Sequence, residues 1–172
     1  MKPIVILSGP VGAGKSTVAA ELVALSPPPV AYIEGDKFWF FIAKGGESLP
    51  RDKKFKMVMT AMMAAALPYA LYGYEVILDF SIPPWFLETA LKITKAKQVP
   101  LDYVVLRPDE SVCAARAAAR SEGAVIDYSP YKGLYSSFNE AGPYIIHDNE
   151  SAAPVSAARI REGLDAGTFR LS

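Results

Sequence analysis

The stretch that most constrains this chain is Gly9 to Thr17, which reads Gly-Pro-Val-Gly-Ala-Gly-Lys-Ser-Thr. Gly9, four residues, then Gly14, Lys15 and Ser16 have the spacing of a phosphate-binding loop. The residue types follow from the ligand. A triphosphate tail crowds several negative charges onto neighbouring oxygens. Glycines let the backbone curl tightly, so that successive N–H groups turn inward toward those oxygens. Lys15 supplies a point charge for the β- and γ-phosphates, and the Ser16 hydroxyl suits Mg²⁺. Thr17 begins the helix behind the loop, whose N-terminus adds free N–H groups and a positive dipole end. The expected nucleotide-binding set is therefore Gly9, Pro10, Val11, Gly12, Ala13, Gly14, Lys15, Ser16 and Thr17.

The flanks supply the context that the motif needs. Ile4-Val5-Ile6-Leu7 is an apolar run of the kind expected for a fully buried parallel strand. Val18 to Val23 reads as helix. A glycine-rich turn that happens to hold a lysine is the alternative, and it does not require these neighbours.

Along the rest of the chain, apolar runs and helical patterns alternate. The first helix should end near Leu25, because Ser26 and Pro27-Pro28-Pro29 cannot continue it. Residues 30–33 form a short strand, and 38–42 begin a helix or irregular segment. Residues 51 to about 67 read as helix, with Pro68 expected to kink or end it. Residues 75–80 form a third strand closed by Asp79, and residues 85–96 a helix. Residues 101–106 form a fourth strand. Asp109 is placed to cap a helix that runs to about Ser121. Residues 124–141 are loop-like, 144–146 a fifth strand, 148–154 a turn and 155–164 the last helix. This alternation predicts an α/β fold with a five-stranded parallel sheet and helices on both faces. In such sheets ligands bind beyond the C-terminal strand ends, and Gly9, Asp36 and Asp79 all fall there.

Bulk properties narrow the function classes. With 172 residues the chain is expected to form one domain, residues 1–172, with a substantial core. Lys plus Arg and Asp plus Glu are both 18, so no global basic field favours nucleic acid. Cys113 is the only cysteine; this excludes an internal disulfide and a cysteine-based metal site, and fits a reducing, cytoplasmic setting. Residues 58–74 are the most membrane-like stretch, but they contain Thr60, Pro68 and Gly73 and are too short to span comfortably, so they are read as a buried helix. The apolar N-terminal stretch is accounted for by the strand and loop, with no signal-peptide cleavage pattern after it.

The chain resembles the P-loop small-molecule kinases, in particular the group of chloramphenicol phosphotransferase, the polynucleotide kinases and the zeta-toxin-like kinases. Gluconate and shikimate kinases are more distant relatives of the same plan. The likeness rests on the phosphate loop, Ile33-Glu34-Gly35-Asp36, Val76-Ile77-Leu78-Asp79, the arginine helix from Arg116 to Arg120, and the strand-turn at 145–154. The resemblance implies a P-loop three-layer sandwich with a small lid, about residues 116–140. It also implies transfer of the γ-phosphoryl group of Mg²⁺-bound ATP to a hydroxyl. The expected partners are ATP and a small hydroxyl-bearing acceptor, with nucleic acid and membrane disfavoured and a monomer or homodimer expected. Two other readings stand beside this one. One is a nucleoside or polynucleotide 5′-kinase. The other is an ATP-binding regulatory or toxin-related module with slow hydrolysis.

The resemblance also assigns roles. Asp36 corresponds to the acidic residue after the second strand that takes the acceptor hydroxyl's proton; a helix N-cap is the plainer reading. Asp79 corresponds to the aspartate that supports Mg²⁺ with Ser16, an ordinary strand-end turn or a substrate contact being the other readings. Lys15, Arg116 and Arg120 would stabilise charge on the transferring group, although arginines on a helix are often merely solvated. Arg107, Glu34 and His147 are lesser candidates for the same region. Adenine is expected between the lid base and the 148–154 turn. Phe38, Trp39, Phe40, Phe41, Trp85 and Phe86 line the acceptor site or simply pack. The basic run Arg51, Lys53, Lys54 and Lys56 binds an acidic acceptor or forms a solvated face.

Overall fold

The computed structural model describes residues 1–147, 149 and 151–172. Five strands form one parallel sheet: β1 (Ile4–Ser8), β2 (Val30–Glu34), β3 (Glu75–Asp79), β4 (Leu101–Leu106) and β5 (Ile145–Ile146). Their order is β2-β3-β1-β4-β5. The register sets Leu7 beside Asp79 and Ser8 beside Val105. β1, β3 and β4 are buried along their whole length, which is why they read as mainly apolar runs rather than alternating ones, with Asp102 the one charged residue inside β4.

Alternation within each strand sorts side chains into two cores. Ile4, Ile6, Val76, Leu78, Leu101, Tyr103 and Val105 pack on one face against α2 (Arg51–Leu71) and α3 (Leu87–Ala96). Val5, Leu7, Ile77, Val104 and Leu106 pack on the other against α1 (Lys15–Leu25), α4 (Glu110–Ala118) and α6 (Ala153–Asp165). The three-layer sandwich expected from the sequence is the architecture found. Because all strands are parallel, the turns after β1, β2, β3 and β4 emerge at one edge.

Three local expectations need correction. Pro68 neither ends nor breaks α2, which continues to Leu71. The proline removes only one backbone hydrogen bond in the last turn, and buried Ala66 and Ala70 hold that turn on the core. α4 stops at Ala118 rather than near Ser121, so Arg120 lies beyond the helix end and not on a shared helix face with Arg116. Residues 124–141 are not a plain loop. They contain a 3₁₀ turn (Ser129–Tyr131), α5 (Lys132–Ser137) and a further 3₁₀ segment from Phe138, anchored by buried Tyr128, Tyr135 and Phe138.

The end of the chain closes the base of the sheet. Phe169 is buried, and Arg170 grips the buried Asp102 of β4 through Nε at 2.5 Å and Nη2 at 3.3 Å. No helix among the described residues is long and apolar enough to cross a membrane.

Candidate functional site

The glycine loop sits directly on neighbouring backbone. Gly9 (φ +145°) faces the carbonyl of Leu106 at the end of β4, and Gly12 (φ +81°) faces the carbonyl of Cys113 in α4. A Cβ at either position would collide with that carbonyl oxygen. Glycine is thus needed both for its left-handed backbone and for the close approach. The Tyr128 hydroxyl donates to the Val11 carbonyl at 2.7 Å, and the Ser81 hydroxyl donates to the Gly9 carbonyl at 2.8 Å. The loop is therefore clamped from the α4–β5 connection on one side and from the turn after β3 on the other.

α1 starts at Lys15, with Gly14 as its N-cap in the left-handed region. The Lys15 ammonium folds back and donates to the Pro10 carbonyl at 3.0 Å. Burial holds its pKa below the usual lysine value, against the opposing pull of the Asp79 and Asp36 carboxylates. A buried lysine that, among the described residues, donates to a backbone carbonyl rather than to a carboxylate suits an arriving polyanion.

Ser16 and Asp79 meet at the foot of the loop. The Ser16 hydroxyl donates to Asp79 Oδ2 at 2.6 Å. The Tyr32 hydroxyl donates to the same oxygen at 3.2 Å. Desolvation holds the Asp79 carboxyl above the usual carboxylate range; Lys15 and the two hydroxyl donors pull it back. The donors here are all oxygen, the chemistry that Mg²⁺ prefers. A hydroxyl and a carboxylate already in contact fit a hydrated Mg²⁺ held partly through water.

Lys15 and Ser16 border a cavity of about 610 Å³. Its lining includes residues 12–18, Asp36, Arg116, Arg120, Ser151 and Ser156. Asp36 enters it from a 3₁₀ segment (Gly35–Phe41) after β2. Arg116 Nη2 donates to the Asn149 carbonyl at 3.1 Å. Asn149 is in turn locked to Asp109: the Asp109 backbone N–H donates to its Oδ1 at 2.7 Å, and its Nδ2 donates to the Asp109 carboxylate at 2.8 Å. Asp109 is the N-cap residue of α4 as expected, but its side chain ties α4 to Asn149 instead of capping.

The site thus gathers Lys15, Ser16, Thr17, Asp36, Arg116 and Arg120 around one cavity, with Asp79 hydrogen-bonded to Ser16 at its base. Other candidates fall outside it. Glu34 forms an ion pair with Lys37 at 2.9 Å. Arg107 lays its guanidinium over the Tyr135 ring, 4.3 Å from the centroid. His147 is exposed and is not among the residues lining the cavity. Of the 148–154 turn proposed for adenine, Asp148 and Glu150 lie outside the described residues, while Ser151 and Ala153 line the cavity.

The aromatic residues divide. Phe40 and Phe41 are largely exposed, whereas Trp39 packs edge-on against Phe55, with ring centroids 5.2 Å apart. Sequence reasoning missed Tyr32, Tyr128 and Asn149. Tyr32 alone carried a signal: in a parallel register with β3 it lies beside Ile77, on the face that Asp79 shares, but this requires knowing that β2 neighbours β3.

A glycine loop after the central strand of a β2-β3-β1-β4-β5 sheet, with a carboxylate ending the adjacent strand, defines the kinase-type P-loop nucleotide-binding fold. The chain belongs to the AAA domain family AAA_33, whose model matches residues 4–127. Among solved structures it is similar to a sugar kinase from Janibacter sp. HTCC2649, at 18% identity and a TM-score of 0.73, covering 96% of this chain and 95% of that one. The tunicamycin resistance protein of Deinococcus radiodurans aligns over 100% of this chain and 99% of that chain, at 15% identity and a TM-score of 0.67. A gluconokinase from Sinorhizobium meliloti 1021 aligns over 95% and 96%, at 20% identity and a TM-score of 0.66. At these identities the likeness is one of fold. No curated protein matches the chain by sequence.

Proposed function

We propose that the protein is a kinase that moves the γ-phosphoryl group of ATP to a hydroxyl of a small molecule. One observation carries the reading: Lys15, Asp36, Arg116 and Arg120 border a single cavity above the Ser16–Asp79 contact. A simple nucleotide-binding module has no need of a carboxylate facing arginines across the phosphate site.

In this reading the loop N–H groups and Lys15 hold the phosphates, and Ser16 with Asp79 holds the metal. Mg²⁺, when bound, neutralises phosphate charge and orients the terminal group. Asp36 accepts the proton of the acceptor hydroxyl as its oxygen bonds to phosphorus and the bridging P–O bond breaks. Arg116 and Arg120 spread the charge on the transferring group. The segment of about residues 116–140, tied to the loop through Tyr128, serves as the lid. That the fold neighbours include a sugar kinase and a gluconokinase supports the reaction class.

The test is a phosphotransfer screen with γ-labelled ATP, Mg²⁺ and pools of hydroxyl-bearing metabolites, antibiotics, nucleosides and short oligonucleotides. Label moving to one pool, and failing to move with Asp36→Asn, is the expected result. ATP hydrolysis independent of every pool would favour a regulatory ATPase instead.

A further inference from the structure

A second cavity, of about 440 Å³, opens between α2, the 3₁₀ turn Pro84–Phe86 and α5. Its lining includes Arg51, Phe55, Trp85, Phe86, Leu134 and Ser137. The rings are ordered against one another. Phe55 stacks on Phe86 with centroids 5.2 Å apart and planes 28° apart, and Trp85 lies on Phe86 at 4.0 Å. Trp85 is nevertheless 57% exposed. A large ring left in water beside a ready-made aromatic wall is an incomplete stack.

Three segments contribute both to a wall of this cavity and to the phosphate site. The 3₁₀ segment that brings Asp36 to the first cavity places Trp39 against Phe55, which lines the second. The turn carrying Trp85 and Phe86 follows directly from β3 and Asp79. The segment whose Tyr128 clamps Val11 continues into α5, which supplies Leu134 and Ser137. Every wall is therefore attached to an element of the phosphate site.

The lining also selects. Arg51 is the one member of the basic run Arg51, Lys53, Lys54 and Lys56 that borders the cavity, and its guanidinium sits 5.7 Å from the Phe55 ring centroid. Asp52 lies beside it, but the surrounding charge of that helical turn is positive. A polyol would leave hydroxyls unpaired against Phe55, Trp85 and Phe86. The volume is at the small end of the about 300–1,000 Å³ typical of small-molecule pockets, too small for an oligonucleotide.

We propose that this cavity is the acceptor site, and that the acceptor is a small aromatic hydroxy acid. Its ring completes the stack on Trp85 and Phe86, its carboxylate pairs with Arg51, and its alcohol points toward Asp36. The step is a simple transfer: the alcohol oxygen bonds to the γ-phosphorus, the β,γ-bridging P–O bond breaks, ADP leaves, and the alcohol proton passes to Asp36 and then to solvent. The assignment rests on the kinase reading for its chemistry but not for its binding, and the experiment separates the two.

Acceptor binding is measured first without nucleotide, by quenching of tryptophan fluorescence with para-hydroxymethylbenzoate, mandelate and phenyllactate, their methyl esters, and polyols of similar size. Trp85→Phe identifies the reporting ring. Turnover with Mg²⁺ and ATP is then measured on the same panel. The acids are expected to quench Trp85 and to be the phosphorylated class. Arg51→Gln should raise KM for the acids about tenfold or more while leaving the esters unchanged. Quenching of Trp85 by the acids with no phosphoryl transfer to any compound would keep the cavity as an aromatic-acid binding site and overturn the acceptor role assigned to it, together with the kinase reading. Transfer to polyols with kcat/KM untouched by Trp85→Ala and Arg51→Gln would keep the kinase and overturn this site. Absence of quenching by every aromatic acid would overturn it as well.

Discussion

Ser16 and Asp79 are 63 positions apart in sequence and share a 2.6 Å hydrogen bond. The register explains the meeting. Leu7 lies beside Asp79 across the β1–β3 pair, so the loop that leaves β1 passes over the carboxylate that ends β3. Burial raises the Asp79 pKa, so its ionised form costs stability in the unliganded protein; that cost begins to fall as pH drops through the folded-state pKa and is gone below the unfolded-state one. Asp79→Asn should therefore leave the unliganded melting temperature unchanged or higher. It should weaken Mg²⁺-dependent nucleotide binding by about 10–100-fold. In the native chain that binding should fade on acidification at a pH above the about 3.9 of a free aspartate. Calorimetric titrations across pH check all three points; full Mg²⁺ affinity in Asp79→Asn would refute the metal assignment.

Tyr32 donates to the same carboxylate oxygen. Its hydrogen bond favours the ionised form of Asp79, so Tyr32→Phe should raise the Asp79 pKa further. The pH midpoint for Mg²⁺-nucleotide binding should move upward. Stability should fall by about 0.5 kcal/mol, the low end for a hydrogen bond on a partly exposed ring. An unshifted midpoint would mean that Tyr32 is released before the metal arrives.

In the proposed kinase mechanism Asp36 and the two arginines act on different quantities. Asp36→Asn should lower kcat by about 10²–10⁴-fold with little change in ATP affinity, because the lost group handles the acceptor proton. Arg120→Ala should lower kcat by about 10²-fold or more and weaken ATP binding far less. Equal losses in both parameters would make Arg120 a ground-state binding residue. Arg116, already held by the Asn149 backbone carbonyl, should show a similar split, and Asn149→Ala, which keeps that carbonyl but removes the side-chain ties to Asp109 that position it, should reproduce part of its effect. Steady-state kinetics with nucleotide and acceptor varied separately decide between these outcomes.

Gly12→Ala tests the fit of the loop on α4. The substitution adds a methyl group against the Cys113 carbonyl at a backbone angle that alanine rarely adopts. Nucleotide affinity should fall by at least an order of magnitude, while circular dichroism remains that of a folded α/β protein. Unchanged affinity would show that α4 yields easily.

Much of this was legible in the sequence, for a physical reason. Parallel strands buried on both faces leave apolar runs, and Ile4–Leu7, Val76–Leu78 and Tyr103–Leu106 stand out as such. The motif Gly9 to Thr17 carries its local chemistry in consecutive residues. What stayed hidden depends on contacts between distant segments. The neighbour relation of β2 and β3 brings Tyr32 to Asp79. The Asp109–Asn149 pair fixes Arg116, and nothing local in either segment announces it. α5 was missed because Lys132–Ser137 has weak helical composition and is held by tertiary contacts, among them the Tyr135 hydroxyl donating to the Pro108 carbonyl at 2.9 Å. Pro68 misled because a proline in the last turn sacrifices one hydrogen bond, which packing outweighs.

At the opposite end of the sheet from the glycine loop, Arg161 of α6 bridges β3. Its Nη1 donates to both oxygens of the buried Glu75 at 2.9 and 3.0 Å, and its Nη2 reaches Asp165 at 2.8 Å. Nη1 also donates to the Ser26 hydroxyl at 3.3 Å, at the end of α1, so one guanidinium joins α1, α6 and β3. Removing one partner of a buried pair leaves an uncompensated charge, so Arg161→Met should destabilise the fold by about 3–5 kcal/mol. Glu75→Gln in the Arg161→Met background should recover much of that loss, because a neutral amide needs no counter-ion. Neither change should alter the phosphate site beyond lowering the folded fraction. Urea unfolding of both variants, with nucleotide affinity measured at low temperature, checks this. A loss below about 1 kcal/mol for Arg161→Met would show that water enters to solvate Glu75 and that the pair behaves as a surface one.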